Sequence, residues 1–332
     1  MFKRFLDSMC QSLSGRSARK PILTRRFVPA IEGLETRLMP AFFAPIASEA
    51  GNSPGDVFKG DFNRDGKMDI AVVSPTTDQI QILLGLGNGK FKAPVSYAVG
   101  DQPVGIAAGD FNGDKKLDLV VSNTGSDDAS VLLGNGAGTF KPAVNYTLGD
   151  GPQNVVVKDL NNDKKLDFAT PNYFDATFTI RLGIGDGTFG SAKTYVAGTN
   201  PAHLAADDLN GDGKVDVVIL GTLNDEVLVR LGNGVNGSGT PSFQVGQAFA
   251  AGDGPFSVAI ADLNGDKKKD LAVLNAFSGD VSILLGDNTA SLPHPSTTLS
   301  AGRLPTSSSA TSMAMLNSIC SLPTRQRTKF SS

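Results

Sequence analysis

Apolar residues in this chain come in short runs, and the runs repeat. Between residues 104 and 148 there are four of them. The first, 104–108, leads into a polar Asp-rich stretch. The second, 117–122, is Leu-Asp-Leu-Val-Val-Ser and rich in β-formers. A turn over 125–128 leads to the third run, 130–133. A Gly-rich turn, 134–138, leads to the fourth, 140–148, in which apolar and polar residues alternate. Runs this short, bounded by Gly, Asn and Asp, predict strands. No stretch of the body shows the helical period. The pattern predicts units of four short strands.

The stretch between the first and second runs is the most regular. In the fourth unit it reads Asp208-Leu-Asn-Gly-Asp-Gly-Lys-Val-Asp216. Oxygen side chains stand at loop positions 1, 3, 5 and 9: Asp208, Asn210, Asp212 and Asp216. Alternate residues of a tight loop can turn toward one centre, and three carboxylates gathered there repel unless a cation lies among them. A hard cation that accepts about six to eight oxygens, carbonyls and waters included, is Ca²⁺. Position 7, Lys214, would offer its carbonyl oxygen. An EF-hand is excluded, because its bidentate Glu belongs at position 12 and no helix flanks the loop.

Four more loops carry the same pattern. The candidate ligands are Asp61, Asn63, Asp65, Lys67 and Asp69 in the first, and Asp110, Asn112, Asp114, Lys116 and Asp118 in the second. The third has Asp159, Asn161, Asp163, Lys165 and Asp167, and the fifth has Asp262, Asn264, Asp266, Lys268 and Asp270. The first residues are spaced by 49, 49, 49 and 54. A fixed period of this length marks a solenoid, a propeller or an array. With four strands per unit and no helices, it predicts an all-β fold, a β-propeller of about five four-stranded blades over 42–290. The five extra residues of the fourth unit fall in its Gly-rich turn at 232–242, where insertion is tolerated. Aromatic residues recur six apart as Phe91/Tyr97, Phe140/Tyr146, Phe189/Tyr195 and Phe243/Phe249. That spacing predicts both rings on one face of the fourth strand, packing between adjacent sheets.

The run Asp-Phe-Asn-Gly-Asp-Lys-Lys-Leu-Asp-Leu-Val-Val from Asp110, followed by Leu-Leu-Gly-Asn-Gly-Ala-Gly-Thr-Phe ending at Phe140, resembles the FG-GAP/VCBS-type repeats of integrin α-chain propellers and bacterial surface proteins. The resemblance covers 42–290. It implies Ca²⁺ in the loop joining the first two strands of each blade. It also implies adhesion or surface interaction, most often without catalysis. Position 6 departs from uniformity: it is Gly66 and Gly213 in two loops and Lys115, Lys164 and Lys267 in the others. If that position needs positive φ, a lysine costs on the order of 1 kcal/mol. The Gly loops are then expected to bind first and the fifth loop, with Lys269 at an otherwise apolar position 8, last.

Charge sharpens the reading. Residues 1–41 carry eight Lys/Arg against three acids, and 291–332 carry four against none. The body between them therefore holds eighteen basic residues against thirty acids, a net −12 within a chain of −3. An acidic body argues against nucleic acid as a partner, and no apolar run approaches a membrane span. The two cysteines, Cys10 and Cys320, lie outside the body, so no disulfide framework is expected.

The segment 1–41 reads as a basic, disordered leader of export type. Residues 25–41, Arg-Arg-Phe-Val-Pro-Ala-Ile-Glu-Gly-Leu-Glu-Thr-Arg-Leu-Met-Pro-Ala, resemble a leader found in surface proteins of one bacterial phylum. An ordinary secretory signal would need an apolar core after the basic part. Residues 41–51 resemble the last strand of a repeat and offer a way to close a five-bladed ring, but Thr298-Leu299-Ser300-Ala301-Gly302 also reads as the end of a fourth strand, with Leu304-Pro305-Thr306 as the start of a sixth unit.

The tail, 291–332, has no repeat but hides one. Met313-Ala314-Met315 is coded ATG-GCN-ATG; read from the third base of the preceding codon it becomes NAT-GGC-NAT, with Gly forced. Continued through Ile319-Cys320, the shifted reading admits Asp-Phe-Asn-Gly-Asp-x-x-Leu/Phe-Asp-Leu. Its first Asp falls at 311, one period of 49 after Asp262. The tail is read as a frameshifted remnant of a sixth repeat.

Catalysis finds little support. His203 lies where other units carry Asp56, Gly105, Asn154 and Ser257, and no nucleophile elbow or zincin motif is present. The expectation is a non-enzymatic, calcium-binding, secreted or cell-surface module with a protein or polysaccharide partner. A propeller-fold hydrolase or lyase acting on polysaccharide, and a purely structural spacer, stay open.

Overall fold

The computed structural model describes residues 54–287 and the strand at 297–299. The leader, residues 41–51 and the tail beyond 299 lie outside the described residues. Blade 1 comprises β1 (Val57–Gly60), β2 (Asp69–Ser74), β3 (Gln79–Leu83) and β4 (Val95–Ala98). Blade 2 comprises β5 (Pro103–Gly109), β6 (Asp118–Asn123), β7 (Asp128–Leu132) and β8 (Val144–Thr147). Blade 3 comprises β9 (Val156–Lys158), β10 (Asp167–Asn172), β11 (Thr177–Arg181) and β12 (Lys193–Val196). Blade 4 comprises β13 (Pro201–Asp207), β14 (Asp216–Gly221), β15 (Glu226–Arg230) and β18 (Gln247–Ala250), with a hairpin of β16 (Gly232–Val235) and β17 (Pro241–Phe243). Blade 5 comprises β19 (Pro255–Ala261), β20 (Asp270–Asn275), β21 (Asp280–Leu284) and β22 (Thr297–Leu299).

Each blade is an antiparallel meander in chain order. In blade 2, for example, Ala107 faces Val120, Val120 faces Val131, and Val131 faces Val144. Five four-stranded sheets, β-rich and built on one period, make this the β-propeller that the repeat predicts. The inserted residues of the fourth unit form the β16–β17 hairpin, where insertion was expected. The first strands of successive blades lie side by side, in the order β1, β5, β9, β13, β19.

Middle strands are buried on both faces, so they read as continuous apolar runs: β6 and β10 are buried at every residue. Fourth strands are largely exposed and short. This corrects the strand predicted over 140–148, because β8 begins only at Val144. Phe140 sits before it, in an isolated bridge to Gly134. The rings six apart therefore point to different neighbours. Phe140 packs on Phe62 and Tyr97 of blade 1, edge to face with centroids 5.6 Å apart. Tyr146 packs on Phe189 of blade 3. They are core rings between sheets, as expected, but each joins a different interface.

The closing strand read in residues 41–51 lies outside the described residues, while the fourth strand read at 298–302 is found in part. The fourth strand of blade 5 is β22, from the same end of the chain, paired with β21.

Candidate metal sites in the aspartate loops

The Asp loop joins the first and second strands of every blade. Its winding is dictated by its own carboxylates. In the second loop Asp110 Oδ1 accepts the N–H of Asp114 (3.0 Å) and Oδ2 that of Lys115 (2.7 Å). Asn112 Oδ1 also accepts from Asp114 (3.0 Å), and Asp114 Oδ1 from Lys116 (3.0 Å). The other four loops repeat this winding, and in the fourth and fifth the position 4 N–H, of Gly211 and Gly265, also donates to Oδ1 of position 1. Short acceptor side chains bonding backbone a few residues ahead are what hold an irregular turn in one conformation.

The positive φ expected at position 6 is present in all five loops: Gly66, Lys115, Lys164, Gly213 and Lys267. Position 4 shows the same requirement, which the sequence reading missed. There Gly113, Gly211 and Gly265 suit it, Asn162 (φ 61°) is a side chain that tolerates it well, and Arg64 (φ 60°) is strained. Only Asp208–Asp216 has glycine at both. The first loop carries Arg64, the second Lys115, the fifth Lys267, and the third both Asn162 and Lys164. On backbone grounds the fourth loop is the least strained, and it is one of the two Gly loops expected to bind first. Lys269, at position 8 of the fifth loop, places its ammonium 2.8 Å from Asp207 Oδ2, in an ion pair with blade 4.

Position 9 is placed differently from positions 1, 3 and 5. Asp69, Asp118, Asp167, Asp216 and Asp270 are fully buried. In each, Oδ2 accepts the N–H of position 2 and Oδ1 the N–H of a glycine sixteen residues on. For Asp118 these are Phe111 N at 2.9 Å and Gly134 N at 2.8 Å. The glycine is required: a Cβ on Gly134 would run into the carbonyl oxygen of Leu117. The sequence reading missed the partners Gly85, Gly134, Gly183, Gly232 and Gly286. Their constant offset from position 9 was the available signal.

Among the described residues, no three or more His, Cys, Asp or Glu side chains come together as a group able to hold a metal. The charge in the loops is nevertheless felt at their floor. Burial pushes the Asp167 carboxyl up to about 6; the Gly183 and Leu160 N–H groups oppose this, and the charges of Asp163 and Asp159 add to it. Position 7 supplies a counter-charge. Its ammonium lies on the position 5 carboxylate for Lys67, Lys116 and Lys214, at 3.0–3.4 Å, and more loosely for Lys268 at 3.9 Å. In the third loop Asn161 Nδ2 donates to Asp163 Oδ2 instead, and the blade 4 hairpin is also within its reach at Gly239 O.

The donor chemistry fits a hard cation. Positions 1 and 5 offer solvent-facing carboxylates and position 3 an amide oxygen. The oxygens already accepting one N–H retain a second lone pair. In four of the five loops three carboxylates outnumber the basic residues, which number one or two; in the fifth Lys267, Lys268 and Lys269 match them.

Outside the loops, two first-strand carboxylates are used between blades. Asp56 accepts from Val57 N and Ile106 N, and burial pushes its pKa up. Asp207 takes Lys158 at 2.6 Å and Lys269 at 2.8 Å. His203 is largely buried, its Nδ1 has no hydrogen-bond partner, and burial pushes its pKa down to about 4.

Comparison with solved structures returns β-propeller proteins. BBS1N, solved in complex with ARL6DN, is 14% identical over 74% of this chain and 70% of that one, with a TM-score of 0.53. A Bacteroides fragilis protein described as a candidate 6-phosphogluconolactonase is 17% identical over 68% of this chain and 65% of its own, with a TM-score of 0.51. At these identities the likeness is one of fold. No curated protein matches the sequence. Among the described residues there is no helix long and apolar enough to cross a membrane. The FG-GAP-like repeat family matches residues 61–121, 113–170 and 208–273, more than half of the chain. With the Asp loop in the same place in every blade, the chain belongs to the FG-GAP repeat family.

Proposed function

We propose that this chain is a calcium-stabilised interaction module, secreted or displayed at a cell surface, that binds a protein or polysaccharide partner and catalyses no reaction. The observation that carries the calcium reading is the fivefold recurrence of one hard-oxygen loop, with carboxylates at positions 1, 5 and 9 and an amide at position 3. Residues at positions 1, 3 and 5 would supply side-chain oxygens, and position 7 its carbonyl. The position 9 carboxylate adds charge from beneath. An ion held there would supply the counter-charge that fixes the loop. The non-enzymatic reading is supported by the employment of Asp56 and Asp207 in joining blades.

The test is a calcium titration followed by calorimetry and by thermal melting. A cation that binds the folded loops and not the unfolded chain raises the melting midpoint by mass action. Expected are heat of binding and a higher midpoint in millimolar Ca²⁺ than in excess chelator. Identical melts with no heat of binding refute the reading.

A further inference from the structure

Each pair of successive blades shares one hydrophobic core, and the described residues form four such cores for five blades. The interface repeats in detail. Loop position 2 faces forward onto the next blade: Phe62, Phe111, Leu160 and Leu209 are each at most 8% exposed there. Position 8 faces backward. Leu117 lies over Gly60 of the preceding blade, and Leu166 over Gly109. The residue four before each Asp loop also faces backward, so Ile106, Val155, Leu204 and Val258 are buried in the core shared with the blade before.

The two ends of the series break this pattern on complementary faces. In blade 5 the forward-facing Leu263 is 42% exposed. Behind it Val281 and Ile283 are only partly buried, although their counterparts Ile80 and Ile82 are sealed. In blade 1 the backward-facing Val57 and Met68 are 47% and 62% exposed. Among the described residues no core joins blade 5 to blade 1. One end shows the forward half of the repeating interface and the other end its backward half.

We infer that the faces of blades 5 and 1 are the seat of a sixth blade of the same repeat, encoded one reading frame over from residue 311 onward. The inference rests on continuity with the four interfaces already formed. An occupant that satisfies both faces must offer an apolar position 8 toward blade 5 and an apolar position 2 toward blade 1. The shifted reading of the tail admits both: Leu or Phe at its eighth position and Phe at its second, around a forced Gly. It also begins one period after Asp262. The tail as translated offers neither an Asp loop nor alternating apolar residues. A second copy would bring five blades to a place that the repeat fills with one.

The test uses the full chain with Cys10→Ser and Cys320→Ser, carrying Met68→Cys or Leu263→Cys, and follows the rate of maleimide labelling in native buffer. Val245→Cys, at a site 94% exposed, is the control. In the 332-residue chain both interface thiols label nearly as fast as the control. When the same gene is read one base earlier through the tail, both slow by roughly tenfold or more, while the control is unchanged. Three labelling results overturn the proposal: protection of both thiols in the 332-residue chain at every concentration, protection that follows dimer formation in sedimentation, and an extended chain that protects neither thiol or only one. Codon sequencing decides independently of folding. A shifted frame that places His or Tyr at the first, third, fifth or ninth loop position, or a stop within the loop, also overturns it.

Discussion

The buried carboxylate at loop position 9 gives the sharpest test of how the blades hold together, and Asp118→Ala is the perturbation. Asp118 is fully buried, and its two oxygens take the N–H groups of Phe111 and Gly134. Removing the carboxylate leaves two buried backbone donors unpaired, at ~1–3 kcal/mol each. Some of that is returned. Burial pushes the Asp118 carboxyl up, Gly134 and Phe111 N–H pull it down, and the charges of Asp114 and Asp110 push it up again. Loss of the side chain relieves that desolvation and repulsion. The net loss is expected at ~2–4 kcal/mol. The assay is urea unfolding in excess chelator, where any ion-dependent contribution is absent, repeated in millimolar Ca²⁺. In chelator the midpoint should fall at constant m-value. A loss under ~1 kcal/mol in chelator, with a large loss confined to Ca²⁺, would refute the clamp and make Asp118 an ion ligand only.

Other expectations follow from the same geometry. Lys115→Gly removes a non-glycine residue from φ 63° and should stabilise by ~1 kcal/mol in urea unfolding; no change or a loss contradicts the strain argument. Arg64→Gly should raise the calcium affinity of the first loop toward that of Asp208–Asp216 in a titration, and equal affinities beforehand would count against the strain argument. His203 has its pKa lowered to about 4, so the folded state binds the proton more weakly than the unfolded chain. Its contribution is present above pH 6.5 and is lost as pH falls from 6.5 toward 4, to a limit of ~3 kcal/mol. His203→Gln should flatten that part of the stability–pH curve, and an unaltered curve refutes the assignment. Lys269→Leu alone should cost ~1 kcal/mol or less, and the pair Lys269→Leu with Asp207→Gly, which recreates the Leu117-on-Gly60 contact, should recover most of it in the same assay.

Strand number, loop position and the need for left-handed backbone at position 6 were legible because the repeat aligns five copies of each position. A signal present five times survives the noise of any one strand. What escaped lay in partnerships across the chain. The Gly134 N–H held by Asp118 is sixteen residues distant, and the ring of Phe140 meets Tyr97 of another blade. Spacing within one strand could not show that Phe140 precedes β8 and that Tyr146 turns the other way. The Asp loops were legible as a set of oxygen donors. Which oxygens are already committed to backbone was not, because that depends on the winding of the loop.

Near-identical blades raise a problem of order, since any of them could in principle dock where another belongs. The Asp207 cluster works against this. Lys158 of blade 3 and Lys269 of blade 5 meet on this one carboxylate of blade 4. Blades 2 and 3 would press leucine there and strand a half-buried charge, while Lys269 set over Gly60 or Gly109 would lie where a leucine now packs. Rejection of the wrong neighbour thus comes from mismatch more than from attraction. The pair acts as an address on the fourth and fifth repeats, marking their sequence during folding of a chain whose units otherwise look alike to one another.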